Sequence, residues 1–280
     1  MKPIKLVAPT AKPIHLTALH PNEGVEALYK RKLQDLITEM SASVIYWTRA
    51  AWRKDNPLMA QDATTAISDN HGRVLTHLRK TMTRLSAHWT KRFDDLGPEL
   101  AKVFVDGATA HTDMAFSASL AKAGFSVKFK PTPGSMEAFQ AVLHENVGLI
   151  RNISDDYLAK IEGDVWRAVS SGYDLKTLTD TLQDRYGMTH RRAALIARDQ
   201  SSKASAVIEN TRRKELGITQ AIWRHSGGGH TPRPLHVKAG RDKLVYDLEK
   251  GAYIGGKFIW PGTEISCRCT SIAIIPGFED

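Results

Sequence analysis

The chain has 280 residues, 42% of them apolar, and a formal net charge of +9. That apolar fraction supports a packed core and excludes wholesale disorder, and no apolar run reaches transmembrane length, so a membrane is not an expected partner. The charge is uneven: residues 1–130 hold 19 Lys/Arg against 12 Asp/Glu and residues 131–280 hold 20 against 18, an imbalance that favours polyanions, nucleic acid first.

Residues 1–21 carry scattered lysines and prolines and lack the continuous apolar stretch of a secretory signal, so they read as an extended arm. From Asn22 to about Arg53, Val25, Leu28, Leu33, Leu36, Ile37, Met40 and Val44 recur at helical spacing, with Asn22 as N-cap and Asn56-Pro57 as stop. Two further helices are predicted, from about Leu58 to Asp95 and from about Pro98 to Ala123, the second started by Pro98 and ended by Gly124. Alternation in Phe125–Lys130 suggests a short strand. Pro131-Thr132-Pro133-Gly134 is the clearest break and the expected linker between a helical region, 22–130, and a second domain, 135–280.

Beyond the linker, a helix capped by Ser135 buries Phe139, Val142, Leu143 and Ile150, and another, capped by Ser154-Asp155-Asp156, runs to Ser171 with Gly172 as stop. Asp174 starts a short helix ending at Gly187. Thr189 opens a longer one that buries Ala193, Ile196, Ala197, Ala204, Ile208 and Thr211 and closes at Gly217. After that the composition turns to Gly, Pro and β-branched residues, with strands expected at Ile218–Trp223 and Ser271–Ile275. The fold class is therefore α+β: an elongated, mainly helical N-terminal region followed by a helical domain with a small β part.

Both cysteines, Cys267 and Cys269, lie in that β part, and two cysteines make no disulfide framework, which points to folding in a reducing compartment. Upstream, His225, His230 and His236 sit in a stretch too rich in Gly and Pro for helix or central strand. His230, His236, Cys267 and Cys269 together offer two nitrogens and two sulfurs, the donors of a tetrahedral structural Zn²⁺ site, with His225 as a spare ligand. The competing reading is a polar lock in which histidines bond to backbone and the cysteines are small buried groups. Ser226-Gly227-Gly228-Gly229 lacks a Walker pattern and reads as a loop. Asp199 is spaced to pair with Lys203 on one helix face, and Glu209 with Arg212 and Arg213. Basic runs at Lys30-Arg31-Lys32, Arg79-Lys80, Lys91-Arg92, Arg191-Arg192 and Arg212-Arg213-Lys214 suit either solvated helix faces or non-specific contact with a phosphate backbone. No nucleophile–base pair has a recognisable spacing.

Ile196-Ala197-Arg198-Asp199-Gln200, Lys203, Gly217-Ile218 and Trp223 resemble the opening of the phage Mu protein F-like domain. The likeness continues through His225-Ser226-Gly227, His230-Thr231-Pro232-Arg233-Pro234-Leu235-His236, Gly240, Pro261-Gly262 and Cys267-Arg268-Cys269. It covers roughly Ser135 to Pro276. The resemblance implies a minor head protein that acts in head morphogenesis without catalysis. Such a protein would associate with the portal and capsid interior, lie close to packaged double-stranded DNA, and reside in the virion after assembly in the host cytoplasm. It also implies roles for Arg233, His236, Cys267 and Cys269. Two alternatives remain open here: a zinc-dependent hydrolase or nuclease, and a DNA-binding protein ejected with the genome. Physically, Arg233 between two prolines is restrained and suited to a carboxylate such as Glu264 or Asp199, and Pro261-Gly262 suits a type II turn that returns the chain towards the histidine loop.

Overall fold

A computed structural model describes residues 12–55, 67–171, 174–228 and 231–276. These described residues form an α+β arrangement of four long helices and one short one, with small antiparallel strands. The elements are β1 (Ile14–His15), α1 (Glu23–Asp55), α2 (Ile67–Lys122), α3 (Pro133–Ser170), α4 (Leu175–Glu215), β2 (Gln220–Arg224), α5 (Pro234–Arg241), β3 (Val245–Asp247), β4 (Ala252–Ile254), β5 (Lys257–Ile259) and β6 (Thr270–Ile275). Among the described residues no helix is long and apolar enough to cross a membrane.

Several expected caps hold. Asn22 Oδ1 accepts from Val25 N–H at 2.9 Å, and Asp174 Oδ1 from Thr177 N–H at 2.7 Å. Thr132 and Ser135 cap reciprocally: each side-chain oxygen accepts from the other residue's backbone N–H, at 2.9 and 3.1 Å, so Thr132 is the cap and the helix starts at Pro133. Gly217, at φ +72°, ends α4 with Ile218 N–H donating to Arg213 O and Gly217 N–H to Lys214 O.

Other expected boundaries do not exist. Pro98 lies inside α2 instead of starting a helix, because apolar residues continue at helical spacing on both sides of it (Trp89, Phe93, Ala101, Phe104, Val105, Ala108). Their burial outweighs the cost of an internal proline, about 3 kcal/mol. Ser154 caps nothing; its hydroxyl donates to Arg151 O at 2.8 Å within α3, whose buried stripe runs unbroken through Ile150, Ile153, Tyr157, Ile161 and Val165. Gly187 and Thr189 likewise sit inside α4, with the Thr189 hydroxyl donating to Arg185 O at 2.9 Å. The Gly172 stop and the Asn56-Pro57 stop lie outside the described residues. Phe125–Lys130 is not a strand: Phe125, Val127 and Phe129 pack on the core, but no neighbouring strand among the described residues supplies a ladder.

The chain forms two compact units. One comprises the described residues within 1–28, 101–145 and 197–280; the other comprises those within 29–100 and 146–196. Neither unit divides at 131–134. The second is helical, and its core includes Leu33, Ile37, Met40, Leu78, Trp89, Phe93, Ile161 and Val165. Buried Asp164 is raised by desolvation, but the Arg185 and Arg167 guanidiniums outweigh this and hold its carboxyl below the usual range.

The first unit carries the sheet. Its strand order is β1-β6-β2-β3, all antiparallel, with β4 and β5 forming a separate hairpin. The described part of the N-terminal arm is therefore not free: Ile14 and His15 pair with Ile275 and Ile274, and Leu16 is buried. The core gathers Phe116, Leu120, Ala221, Trp223, Ala239, Tyr246, Leu248, Ala273 and Ile275 around the two cysteines.

Candidate functional site

The site is built where α5, the turn before β6, and the start of β6 meet in the first unit. Pro234 opens α5, so the Pro-rich stretch is helical from there on: its fixed φ suits the first turn, where a missing N–H costs nothing. The helix buries His236 and Ala239, one turn apart. Gly240 lets it seat closely: a Cβ there would lie 2.5 Å from His225 Cβ and 2.7 Å from His225 N.

Opposite α5, Pro261-Gly262 forms the expected type II turn, with Gly262 at φ +82° and Thr263 N–H donating to Trp260 O at 3.3 Å. A Cβ at Gly262 would sit 3.2 Å from Ser202 O, so the turn lies against the α4 backbone. The following turn carries Ser266 at φ +57°, an uncommon conformation for a non-glycine residue. Asp199 accepts a short hydrogen bond from Ser266 N–H, which fixes that conformation. Arg233 donates to Ile265 O at 2.8 Å and lies 3.8 Å from Glu264. Of the two carboxylates offered to Arg233, Glu264 is the one it meets. Lys203 bonds Glu145 at 2.6 Å and not Asp199, which the turn has engaged.

These elements bring three donors together. His236 Nδ1 lies 3.6 Å from Cys267 Sγ and 3.8 Å from Cys269 Sγ, and the three atoms all lie within 4.8 Å of one another. All three residues are buried, and both cysteines are free thiols. His236 Nε2 faces Glu264 Oε2 at 3.1 Å, and the other Glu264 oxygen accepts from Lys257. Lys257 does most to hold the Glu264 carboxyl below its usual range. The sulfur–sulfur contact dominates the thiols: an S–H bond from Cys269 pulls Cys267 well below the ordinary thiol range, and the same contact pushes Cys269 up. The backbone at Cys269 and Gly262 also favours the charged form of Cys267, and that at Ser226 the charged form of Cys269, though burial and the sulfur–sulfur contact outweigh the latter. Trp223 lies edge-on to His236 at 5.0 Å, and its buried indole N–H has no hydrogen-bond partner among the described residues.

Of the expected ligands, His236, Cys267 and Cys269 converge, and His230 lies outside the described residues. His225 is not in the cluster; its Nδ1 accepts from Gly227 N–H at 3.1 Å, and its ring lines an adjoining cavity of about 650 Å³. Arg198, Arg233 and Arg268 line the same cavity, with no carboxylate among its described lining residues.

Glu264 was expected only as one of two carboxylates for Arg233; its place as the partner of His236 was not foreseen. The basic run at the end of α4 also reads differently in three dimensions. Arg212 is buried and bonds Asp113 twice, at 2.8 and 2.7 Å, Lys130 O at 3.0 Å and Glu215 at 2.9 Å, with Phe129 and Phe139 on its faces. Arg213 is buried on Glu209 and Ser271. Neither guanidinium is available to a phosphate backbone, and burial lifts Glu209 to about 7 even with Arg213 beside it.

Comparison with known proteins agrees with the motif order. A protein of Haemophilus influenzae, described only as an uncharacterized protein, is 25% identical over 253 residues, which is 86% of this chain and 55% of the relative. The chain thus spans about half the length of that relative. No solved structure matches. The family described as phage Mu protein F like protein matches residues 159–272, a span holding Asp199, Trp223, Arg233, His236, Glu264 and both cysteines. Over that segment the chain is similar to the phage Mu protein F-like family.

Proposed function

We propose that this chain is a minor head protein that acts in head morphogenesis, associates with the portal and lies close to packaged double-stranded DNA in the virion, in a structural role. The observation that carries this reading is the Mu F-like match over residues 159–272. The geometry supports it: the motif residues Asp199, Arg233, Pro261, Gly262 and Trp223 all serve to seat two turns and a short helix around a buried cluster. DNA proximity rests on exposed cations such as Lys30, Arg31, Lys32, Lys80 and Arg92, and not on Arg212 or Arg213. Purified particles and procapsids should contain the chain, and it should co-purify with portal protein. Its absence from purified particles would end the proposal. DNA affinity should fall steeply with salt, and a flat response would remove the DNA contact.

One observation favours a second reading, a zinc-dependent hydrolase or nuclease: the cluster adjoins a polar cavity. Its weakness is that Glu264, the nearest carboxylate, is committed to Lys257 and His236. Metal-dependent cleavage of DNA by the purified chain, lost in Glu264→Gln, would favour it over the structural role.

A further inference from the structure

We propose that His236 Nδ1, Cys267 Sγ and Cys269 Sγ hold one divalent metal ion of the zinc type, with Glu264 as a positioning residue on His236 Nε2. The inference does not depend on the head-protein reading. It narrows the sequence expectation to three described ligands and adds the carboxylate.

The first argument is distance. Tetrahedral zinc has Zn–S of about 2.3 Å and Zn–N of about 2.0–2.1 Å, which sets sulfur–nitrogen edges at roughly 3.5–3.6 Å. The two edges here are 3.6 and 3.8 Å. A hydrogen-bonded lock explains these less well. With Nε2–H donated to Glu264, Nδ1 presents one lone pair, which accepts one S–H, yet both sulfurs stand at nearly the same distance.

The second argument is the surrounding shell. A metal-bound imidazole usually donates its other ring N–H to a carboxylate, which fixes tautomer and orientation. Glu264 fills that place and is itself held by Lys257 and approached by Arg233. The third is the sulfur environment. Trp223 stands edge-on to His236 at 5.0 Å, and its buried indole N–H has no hydrogen-bond partner among the described residues. Both sulfurs are buried beside the same ring nitrogen, and one cation would satisfy all three donors at once. Imidazole and thiolate together select zinc over magnesium or calcium. The cavity beside the cluster, lined by Arg198, Arg233 and Arg268, leaves room for one exchangeable ligand, water or an anion.

The test uses the full chain, purified reduced and without chelator. Metal analysis should find about one equivalent of zinc per chain, and Co²⁺ exchange should give a thiolate-to-metal band with the intensity of two sulfur ligands. The Cys267→Ser, Cys269→Ser double variant should lose that band, and Glu264→Gln should keep it while weakening affinity about 10- to 100-fold. Less than a tenth of an equivalent after reconstitution with Zn²⁺, or a cobalt spectrum without thiolate bands, overturns the site. So does stoichiometric binding that survives the double variant. If the serine variants fail to fold, the wild-type metal content and cobalt spectrum still decide the matter.

Discussion

Gly240→Ala opposes two effects whose sizes decide the outcome. Gly240 has ordinary helical backbone in α5, so alanine alone should stabilise the helix by about 0.8–1 kcal/mol. The new Cβ, however, would lie 2.5 Å from His225 Cβ and 2.7 Å from His225 N. Carbon atoms pack at roughly 3.5–4.0 Å, so α5 must retreat by about 1 Å, and a backbone nitrogen has no rotamer with which to yield. Overpacking of this kind costs about 1–3 kcal/mol, so the net effect should lie between about zero and a loss of about 2 kcal/mol. The retreat also carries His236 away from the sulfurs, and metal ligands tolerate only about ±0.2 Å. Denaturant midpoints, measured beside Gly148→Ala, would check this. Gly148 lies exposed in α3 with nothing within 4 Å of its added Cβ, and its alanine variant should gain about 0.5–1 kcal/mol. Alkylation of Cys267 and Cys269 should quicken in Gly240→Ala only. A gain in Gly240→Ala equal to that of Gly148→Ala, with unchanged alkylation, would refute the close-approach argument.

Four further outcomes are expected. Cys267→Ser and Cys269→Ser should each lower the melting temperature, and unchanged values in both would remove any structural role for the pair. Arg212→Lys should cost about 2–4 kcal/mol by denaturation, since lysine cannot reproduce the fork on Asp113 while also reaching Lys130 O and Glu215; a loss under about 0.5 kcal/mol would contradict this. Glu209 is raised from 4.5 to about 7, so its contribution is complete below pH 4.5 and is lost as pH rises through 7. Glu209→Gln should therefore flatten the stability slope between those values, by a few kcal/mol at most, and an unchanged slope would show that Glu209 does not titrate there. Asp199→Ala should cost about 1–2 kcal/mol and speed hydrogen exchange at Ser266, whose N–H it leaves without its acceptor; unaltered exchange would deny Asp199 that role.

The sequence was most legible where a local rule acts alone. Asn22, Asp174 and Gly217 marked helix ends correctly because capping depends on one residue and its own backbone. Pro98, Ser154 and Gly187 misled because each is a local breaker inside a long buried stripe, and burial along that stripe outweighs it. The cluster was legible in part. Cys267, Cys269 and His236 carried the chemistry in their residue types, whereas Glu264 depended on α5 forming after Pro234, which the surrounding glycines and prolines hid. Arg212 and Arg213 looked like surface charge, since burial of an arginine rests on partners such as Asp113 and Ser271 that lie 99 and 58 positions away.

The strand order β1-β6-β2-β3 also constrains how the chain emerges from the ribosome. β6, at 270–275, sits between β1, at residues 14–15, and β2, at 220–224, so it is made last among them yet both must pair with it. Until it leaves the exit tunnel, β1 has no neighbour and β2 lacks one of its two edges. Closing the loop from Ile14 to Ile275 is the most distant pairing in the sheet and costs the most chain entropy. The helical second unit uses only residues up to 196 and has no such delay. The sheet should consequently be the last part of the chain to gain protection during synthesis, and chains stalled before residue 270 should expose the β2 edge to aggregation.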